Sequence, residues 1–255
     1  CPTYRAPVRS RVPVVVTVHD LAVLRRPEVF PPWTRTYSRL VVPRVVRNAR
    51  IVAAVSEFTA AEVETLLRVP RERIRVVPNA VDATFTEDGP AAEGDYVLAV
   101  GTLEPRKNIA RSIEAAQRLG VELRIAGDAG WGGVEASGPG VTWVGFADDD
   151  ELARLYRGAR CVVYPSLYEG FGIPVLEAMA CGAPVVTSRG GSTEEVAGGA
   201  AVLVDPEDVA AIAAGIEEAI ARRDELRAAG LRRARDYSWD ESARLLVAAY
   251  EEAAA

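Results

Sequence analysis

Residues 161–182 read Cys161-Val162-Val163-Tyr164-Pro165-Ser166-Leu167-Tyr168-Glu169-Gly170-Phe171-Gly172-Ile173-Pro174-Val175-Leu176-Glu177-Ala178-Met179-Ala180-Cys181-Gly182. A strand-length apolar run gives way to a glycine-bearing loop and then to a helical pattern opened by Pro174, a residue suited to a first helical turn. Backbone N–H groups around Gly170 and Gly172 can therefore face a bound anion at the start of that helix. Glu169 in the loop and Glu177 one turn into the helix can accept hydrogen bonds from hydroxyl groups. Either glutamate alone reads as a solvated or capping side chain. Strand, loop, helix and two acceptors together favour a ligand that carries both a phosphate and paired hydroxyls.

The same alternation extends along the chain. Short β-branched runs occur at 12–18, 51–55, 74–77, 96–100, 121–126, 141–144, 161–164, 183–187 and 201–204. Helical patterns fall near 33–48, 57–68, 108–119, 149–158, 174–181, 206–222 and 223–236. Repeated βα alternation predicts parallel sheets wrapped by helices. Ser56 is placed to cap the helix beginning at Glu57, and Ser238-Trp239-Asp240-Glu241 has the form of a capping box. The polar stretch from Thr84 to Gly94 interrupts the pattern and reads as a linker. Three runs before it are too few for a self-contained doubly wound sheet, whereas the runs after it suffice. The expected organisation is a partial Rossmann-like domain over 1–86, a second Rossmann-like domain over 87–238, and a closing helix over 239–255. The start at Cys1-Pro2 does not read as a signal peptide or a natural start, so an upstream segment is expected.

Ligands of parallel sheets bind beyond the carboxyl ends of strands, which directs attention to the loops there. His19, the only histidine, follows the first run and is placed either to contact or protonate a substrate hydroxyl or to act as a structural histidine. Gly101-Thr102-Leu103-Glu104-Pro105-Arg106-Lys107-Asn108 follows the run 96–100. Gly101 permits close backbone approach, and Arg106 and Lys107 sit at a helix start, a combination suited to a diphosphate or, read blandly, to a solvated turn. Lys107 is the only lysine among thirty basic residues. Asp148-Asp149-Asp150 resembles a D-x-D metal motif, but it opens a helical pattern where acids cap the first turn, so no metal is assigned. Cys1, Cys161 and Cys181 lack metal-site or disulfide-framework spacing, which fits a reducing cytosol.

These motifs occur together in one known family. Glu169 and Glu177 resemble the E-x7-E signature of the retaining family-four glycosyltransferases of the GT-B fold. Gly101 with Arg106, Lys107 and Asn108 is similar to that family's G-x-x-x-x-R-K-N element. Thr17–Leu21, Ala54–Thr59, Val76–Asp82 and Ile125–Gly130 fall in the family's order. The resemblance implies two Rossmann-like domains, the first incomplete here, and an NDP-sugar donor substrate with no cofactor. Arg106 and Lys107 would neutralise the leaving diphosphate. Glu177 would bind the ribose, Glu169 with the N–H groups of Phe171 and Gly172 would hold the transferred sugar, and His19 would contact that sugar near the reacting carbon. Gly101 and Gly170 would line the donor site, and Val144-Gly145-Phe146 would touch the base. The product would keep the donor's anomeric configuration. The glycine-rich loop of the family's first strand–helix unit has no counterpart in this sequence, so the acceptor is not legible beyond a glycan or a lipid-linked glycan. Likeness to mannosyltransferases of bacterial polysaccharide assembly favours GDP-mannose, with a UDP-sugar as the alternative. A nucleotide-binding module without transfer activity is the competing class. An epimerase fits the paired motifs poorly, and a pyridoxal-phosphate phosphorylase would have only Lys107 for its Schiff base.

With 49% hydrophobic and 26% charged residues the chain is of ordinary globular composition, and its apolar runs are far shorter than the roughly 20 residues a spanning helix needs. Residues 1–50 hold ten arginines against Asp20 and Glu28, whereas the remainder holds twenty basic against thirty-four acidic residues. A basic front of this kind can be a solvated face, or it can attract anionic lipid. No nucleic-acid partner is assigned. The location expected is cytoplasmic, with peripheral contact at the inner face of the plasma membrane. If the front docks on lipid, cosedimentation with vesicles should rise with their anionic-lipid fraction; sedimentation indifferent to that fraction would exclude such docking.

Overall fold

β1 (Val15–Val18), β2 (Ile51–Ala54) and β3 (Ile74–Val76) run parallel in the order β1-β2-β3, with Val15 opposite Ile51 and Val52 opposite Ile74. Pro13 has no N–H for a sheet ladder, which fits the start of β1 three residues after the first apolar residue of its run. Helices α1 (Ala22–Arg25), α2 (Pro32–Asn48) and α3 (Glu57–Leu67) connect the strands. The computed structural model describes residues 1–3, 6–8 and 10–255. Its contacts divide the chain into one unit of Cys1–Ala80, Glu169–Phe171 and Tyr237–Ala255 and a second of Val81–Tyr168 and Gly172–Asp236.

Alternation along the strands determines what each face of the first sheet covers. Val16, Val18, Val52 and Ala54 pack with Val42, Val45 and Val46 of α2 and with Ala60, Val63 and Leu67 of α3. Ser56 caps α3 as expected, its side chain accepting from Thr59 N at 2.9 Å.

The second unit holds β4 (Tyr96–Val100), α4 (Ile109–Leu119), β5 (Glu122–Ala126), β6 (Val141–Gly145), α5 (Asp149–Gly158), β7 (Cys161–Tyr164), α6 (Ile173–Ala180), β8 (Val185–Ser188), α7 (Ser192–Ala197), β9 (Val202–Val204), α8 (Val209–Ala221) and α9 (Arg223–Ala234). Its six strands are all parallel, in the order β6-β5-β4-β7-β8-β9. Val97, Ala99, Leu123, Ile125 and Val163 bury one face beneath Ile109 and Ile113 of α4 and Ile212 and Ile216 of α8. On α5, Asp148 accepts from Glu151 N at 2.9 Å, so the first of the three aspartates is the cap that the helical pattern called for.

The closing helix α10 (Trp239–Ala254) completes the first unit. Ala249 and Ala253 pack on Val15, Ile51 and Ala53, the residues of β1 and β2 that alternate with those facing α2 and α3. Ser238 Oγ accepts from Glu241 N at 3.2 Å, while the Glu241 carboxylate pairs with Arg244 at the next turn. The sequence pattern expected of a capping box therefore yields one arm of it, because a cation three residues on competes for the glutamate. Among the described residues no helix is long and apolar enough to cross a membrane.

Candidate functional site

β4 and β7 are hydrogen-bonded neighbours, yet β5 and β6 extend the sheet on one side and β8 and β9 on the other. Strand order reverses between them, and loops leaving the carboxyl ends at such a reversal part to leave a crevice. After β4, Gly101 adopts φ +137°, and a Cβ there would lie 3.1 Å from Lys107 Cδ. Behind it Gly127, at φ +151°, approaches so closely that a Cβ would come within 2.2 Å of the Gly101 carbonyl oxygen. Backbone contact excludes a side chain at Gly127 and the positive φ strains one at Gly101, so the loop folds tightly over the strand end.

Two cations follow in a 3-10 turn, Pro105–Lys107, and the structure treats them differently. Arg106 is fixed: Nη1 donates to the Tyr168 carbonyl at 2.9 Å, and Nη2 to Glu104 Oε1 at 2.5 Å. That ion pair is largely buried, with side-chain exposures of 16% and 4%, so loss of either partner would strand a charge. Lys107 reaches across the reversal to the last residue of β7. Its Nζ donates to Tyr164 Oη at 2.6 Å and stands 5.1 Å from the centroid of that ring.

Asn108 is the hinge of the loop. It is buried, in the left-handed region at φ 60°, and its Nδ2 donates to the carbonyls of Pro165 at 2.9 Å and Pro206 at 2.6 Å. Arg111 Nη1 donates to its Oδ1 at 2.8 Å. The loops after β4, β7 and β9 are thereby tied at one carboxamide. The Arg106 carbonyl adds a second tie, accepting from Leu167 N at 2.8 Å and Ser166 Oγ at 3.1 Å.

On the β7 side, Gly172 at φ +110° starts α6; a Cβ there would lie 2.9 Å from Thr193 Cγ2. Glu177 is half-buried one turn along, and the hydroxyl of the fully buried Tyr156 on α5 donates to its Oε2 at 2.9 Å. Burial pushes the Glu177 carboxyl up to about 7, against the pull of the Tyr156 hydrogen bond; Asp149 adds to the rise and Lys107 opposes it. Burial likewise raises the Tyr156 phenol well above its ordinary value, so this hydroxyl stays a donor. The arrangement offers a compact cation, a fixed cation, a helix start and an acceptor carboxylate around one strand reversal.

The second unit thus gathers Gly101, Arg106, Lys107, Gly172 and Glu177 from the residues singled out in the sequence. Val144 and Gly145 end β6, two strands away from β4, with Phe146 next to them and 74% exposed. His19, Glu169, Gly170 and Phe171 belong to the first unit. There Gly170 is held by backbone as much as by sequence: its carbonyl accepts from Ser56 Oγ at 2.6 Å and Thr59 Oγ1 at 2.8 Å, and a Cβ would collide with the His19 carbonyl at 1.7 Å. Phe171 stacks edge-on against Tyr237 at 5.5 Å. The exposed His19 ring has Nε2 2.9 Å from the Pro2 carbonyl, an acceptor only, so that nitrogen carries the proton. The sequence reading missed Glu104, Tyr156 and Tyr164, and it did not foresee that Asn108 braces three loops.

Residues 82–236 match the family described as glycosyl transferases group 1, and residues 2–85 match glycosyltransferase family 4. The chain belongs to these glycosyltransferases. Among relatives of this glycosyltransferase, the O-antigen chain mannosyltransferase B of Escherichia coli is 34% identical over 93% of the chain and 70% of that protein. The MMP alpha-(1->4)-mannosyltransferase of Mycolicibacterium hassiacum is 32% identical over 95% of the chain, which spans 66% of that protein's length. Among solved structures, sucrose-phosphate synthase from Thermosynechococcus elongatus superposes with a TM-score of 0.78 at 25% identity, covering 93% of the chain and 67% of that structure. The fold is GT-B.

Asn108→Ala should cost about 2–4 kcal/mol in urea unfolding, because it strands two carbonyls and places a Cβ-only side chain in the left-handed region. Asn108→Gly should cost less, since it keeps the backbone conformation. Equal losses for the two would show that strain plays no part.

Proposed function

We propose that the second unit binds a nucleotide-sugar donor and that the protein transfers a hexose from it, with retention of configuration, to a glycan or lipid-linked acceptor. The observation that carries this reading is the joining of Lys107, Arg106 and Glu177 at the strand reversal between β4 and β7. A nucleoside diphosphate needs two chemistries a short distance apart: cations and N–H donors for the phosphates, and an acceptor for the ribose hydroxyls. Arg106, held by Glu104 and the Tyr168 carbonyl, supplies a positive charge that does not have to be ordered when ligand arrives. Lys107, on a flexible stem, supplies one that can follow charge as it develops on the departing diphosphate. Glu177 accepts from the ribose. The two cations serve the leaving group without a metal, and Asp148 is engaged as a helix cap.

Mannose is the sugar we assign first, with GDP-mannose as donor, because the two relatives named above are mannosyltransferases. A UDP-linked hexose is the alternative for the same site. His19, Glu169, Phe171 and Gly172 are assigned the roles toward the transferred sugar that the family resemblance gives them, Gly170 joins Gly101 in lining the donor site, and Val144, Gly145 and Phe146 are assigned to the base.

Calorimetric titration with GDP, UDP, GDP-mannose and UDP-glucose tests the reading. One nucleotide pair should bind, and Lys107→Ala and Glu177→Ala should each weaken it by roughly tenfold or more, the order expected for losing a charge-assisted contact. Binding unchanged in both variants would place the nucleotide elsewhere.

A further inference from the structure

Tyr156 is buried to 0% exposure in α5, and its ring packs edge-on against Phe85 with centroids 6.0 Å apart. A buried phenol on the core face of a helix ordinarily satisfies its hydroxyl on a nearby backbone carbonyl, as Tyr96 does on Leu155 at 2.7 Å. Tyr156 instead donates to Glu177 Oε2, on another helix, at 2.9 Å. A donor on one carboxylate oxygen restrains the rotation of the group and leaves the acceptor capacity of Oε1 for other donors. We propose that Tyr156 is a positioning residue for the donor nucleotide, orienting the carboxylate of Glu177 that receives the ribose hydroxyls.

The inference rests on the reading of Glu177 as the ribose acceptor and adds a residue to it. The groups that face Glu177 are Tyr156 and Asp149 from α5, Lys107 from the loop after β4, and Cys181 just past the end of its own helix, with Tyr164 of β7 acting on Tyr156. Desolvation raises the carboxyl to about 7 and the Tyr156 hydrogen bond works against that rise. Removing the donor leaves desolvation less opposed, so the titration midpoint moves to higher pH, and a ribose that needs the ionised acceptor binds less well near neutrality.

The test follows the Glu177 side-chain carboxyl 13C resonance, assigned with Glu177→Gln, through a pH titration of the nucleotide-free chain, and then GDP and UDP affinity against pH. Tyr156→Phe keeps the ring against Phe85. It should raise the Glu177 midpoint above that of the unsubstituted protein and weaken nucleotide binding at pH 7 by roughly 3- to 10-fold, the scale of one hydrogen bond. Should that variant not fold, replacing tyrosine by 3-fluorotyrosine, a stronger donor, should move the midpoint the other way. An unmoved midpoint overturns the proposal. If Glu177→Gln binds nucleotide as well as the unsubstituted protein, the assignment of Glu177 to the ribose falls, and the positioning role falls with it. If Glu177→Gln weakens binding while Tyr156→Phe alters neither midpoint nor affinity, only the positioning role is lost.

Discussion

The carboxamide of Asn108 fixes three loops of the second unit to one another, and the rest of the site depends on that tie. Its Nδ2 bonds to Pro165 and Pro206, carbonyls 57 and 98 residues distant in sequence, so neither the β4 loop nor the β7 loop can shift alone. A parallel sheet provides the opening at its strand reversal but not the shape of the opening. That shape comes from Asn108, from the Arg106 carbonyl bonded to Ser166 and Leu167, and from Gly101 and Gly127 closing on each other where no side chain fits.

Charge at this strand reversal is arranged in two tiers. Glu104 and Arg106 form a low-exposure pair that is costly to break and holds its cation in place. Lys107 and Glu177 sit in the more open tier, each steadied by one tyrosine hydroxyl, Tyr164 for the ammonium and Tyr156 for the carboxylate. A phenol suits both tasks, because the same oxygen can accept from a cation or donate to an anion while the ring stays in the core. Preorganised groups of this kind lose little freedom when a charged ligand arrives, which is the property a site for a departing diphosphate requires.

Much of the fold was legible in the sequence, because fully buried parallel strands read as β-branched runs and their helices carry local start signals such as Ser56, Asp148 and Pro174. Two elements escaped that reading. α1 and α7 span four and six residues, too few for a periodic pattern to form. In the site, Arg106 and Lys107 stood out because charge in the loop after a strand is conspicuous, and Glu177 because it follows a strand, a glycine-bearing loop and a helix start, with Glu169 beside it. Tyr156 and Tyr164 did not, since an aromatic residue on an amphipathic helix or a buried strand looks like core, and both are core except for one oxygen. The partners of Asn108 lie far along the chain, beyond the reach of any local spacing rule.

A nucleotide bound at the loop after β4 would have a direct probe in the composition of the chain. Lys107 is the only lysine in the chain. Protein labelled with 15N-lysine therefore gives a single backbone amide cross-peak, reporting from the middle of the site. Addition of GDP-mannose, or of a UDP-sugar should that be the donor, should shift this peak saturably, with the midpoint matching the calorimetric affinity. A cross-peak that stays in place while calorimetry registers binding would contradict the account.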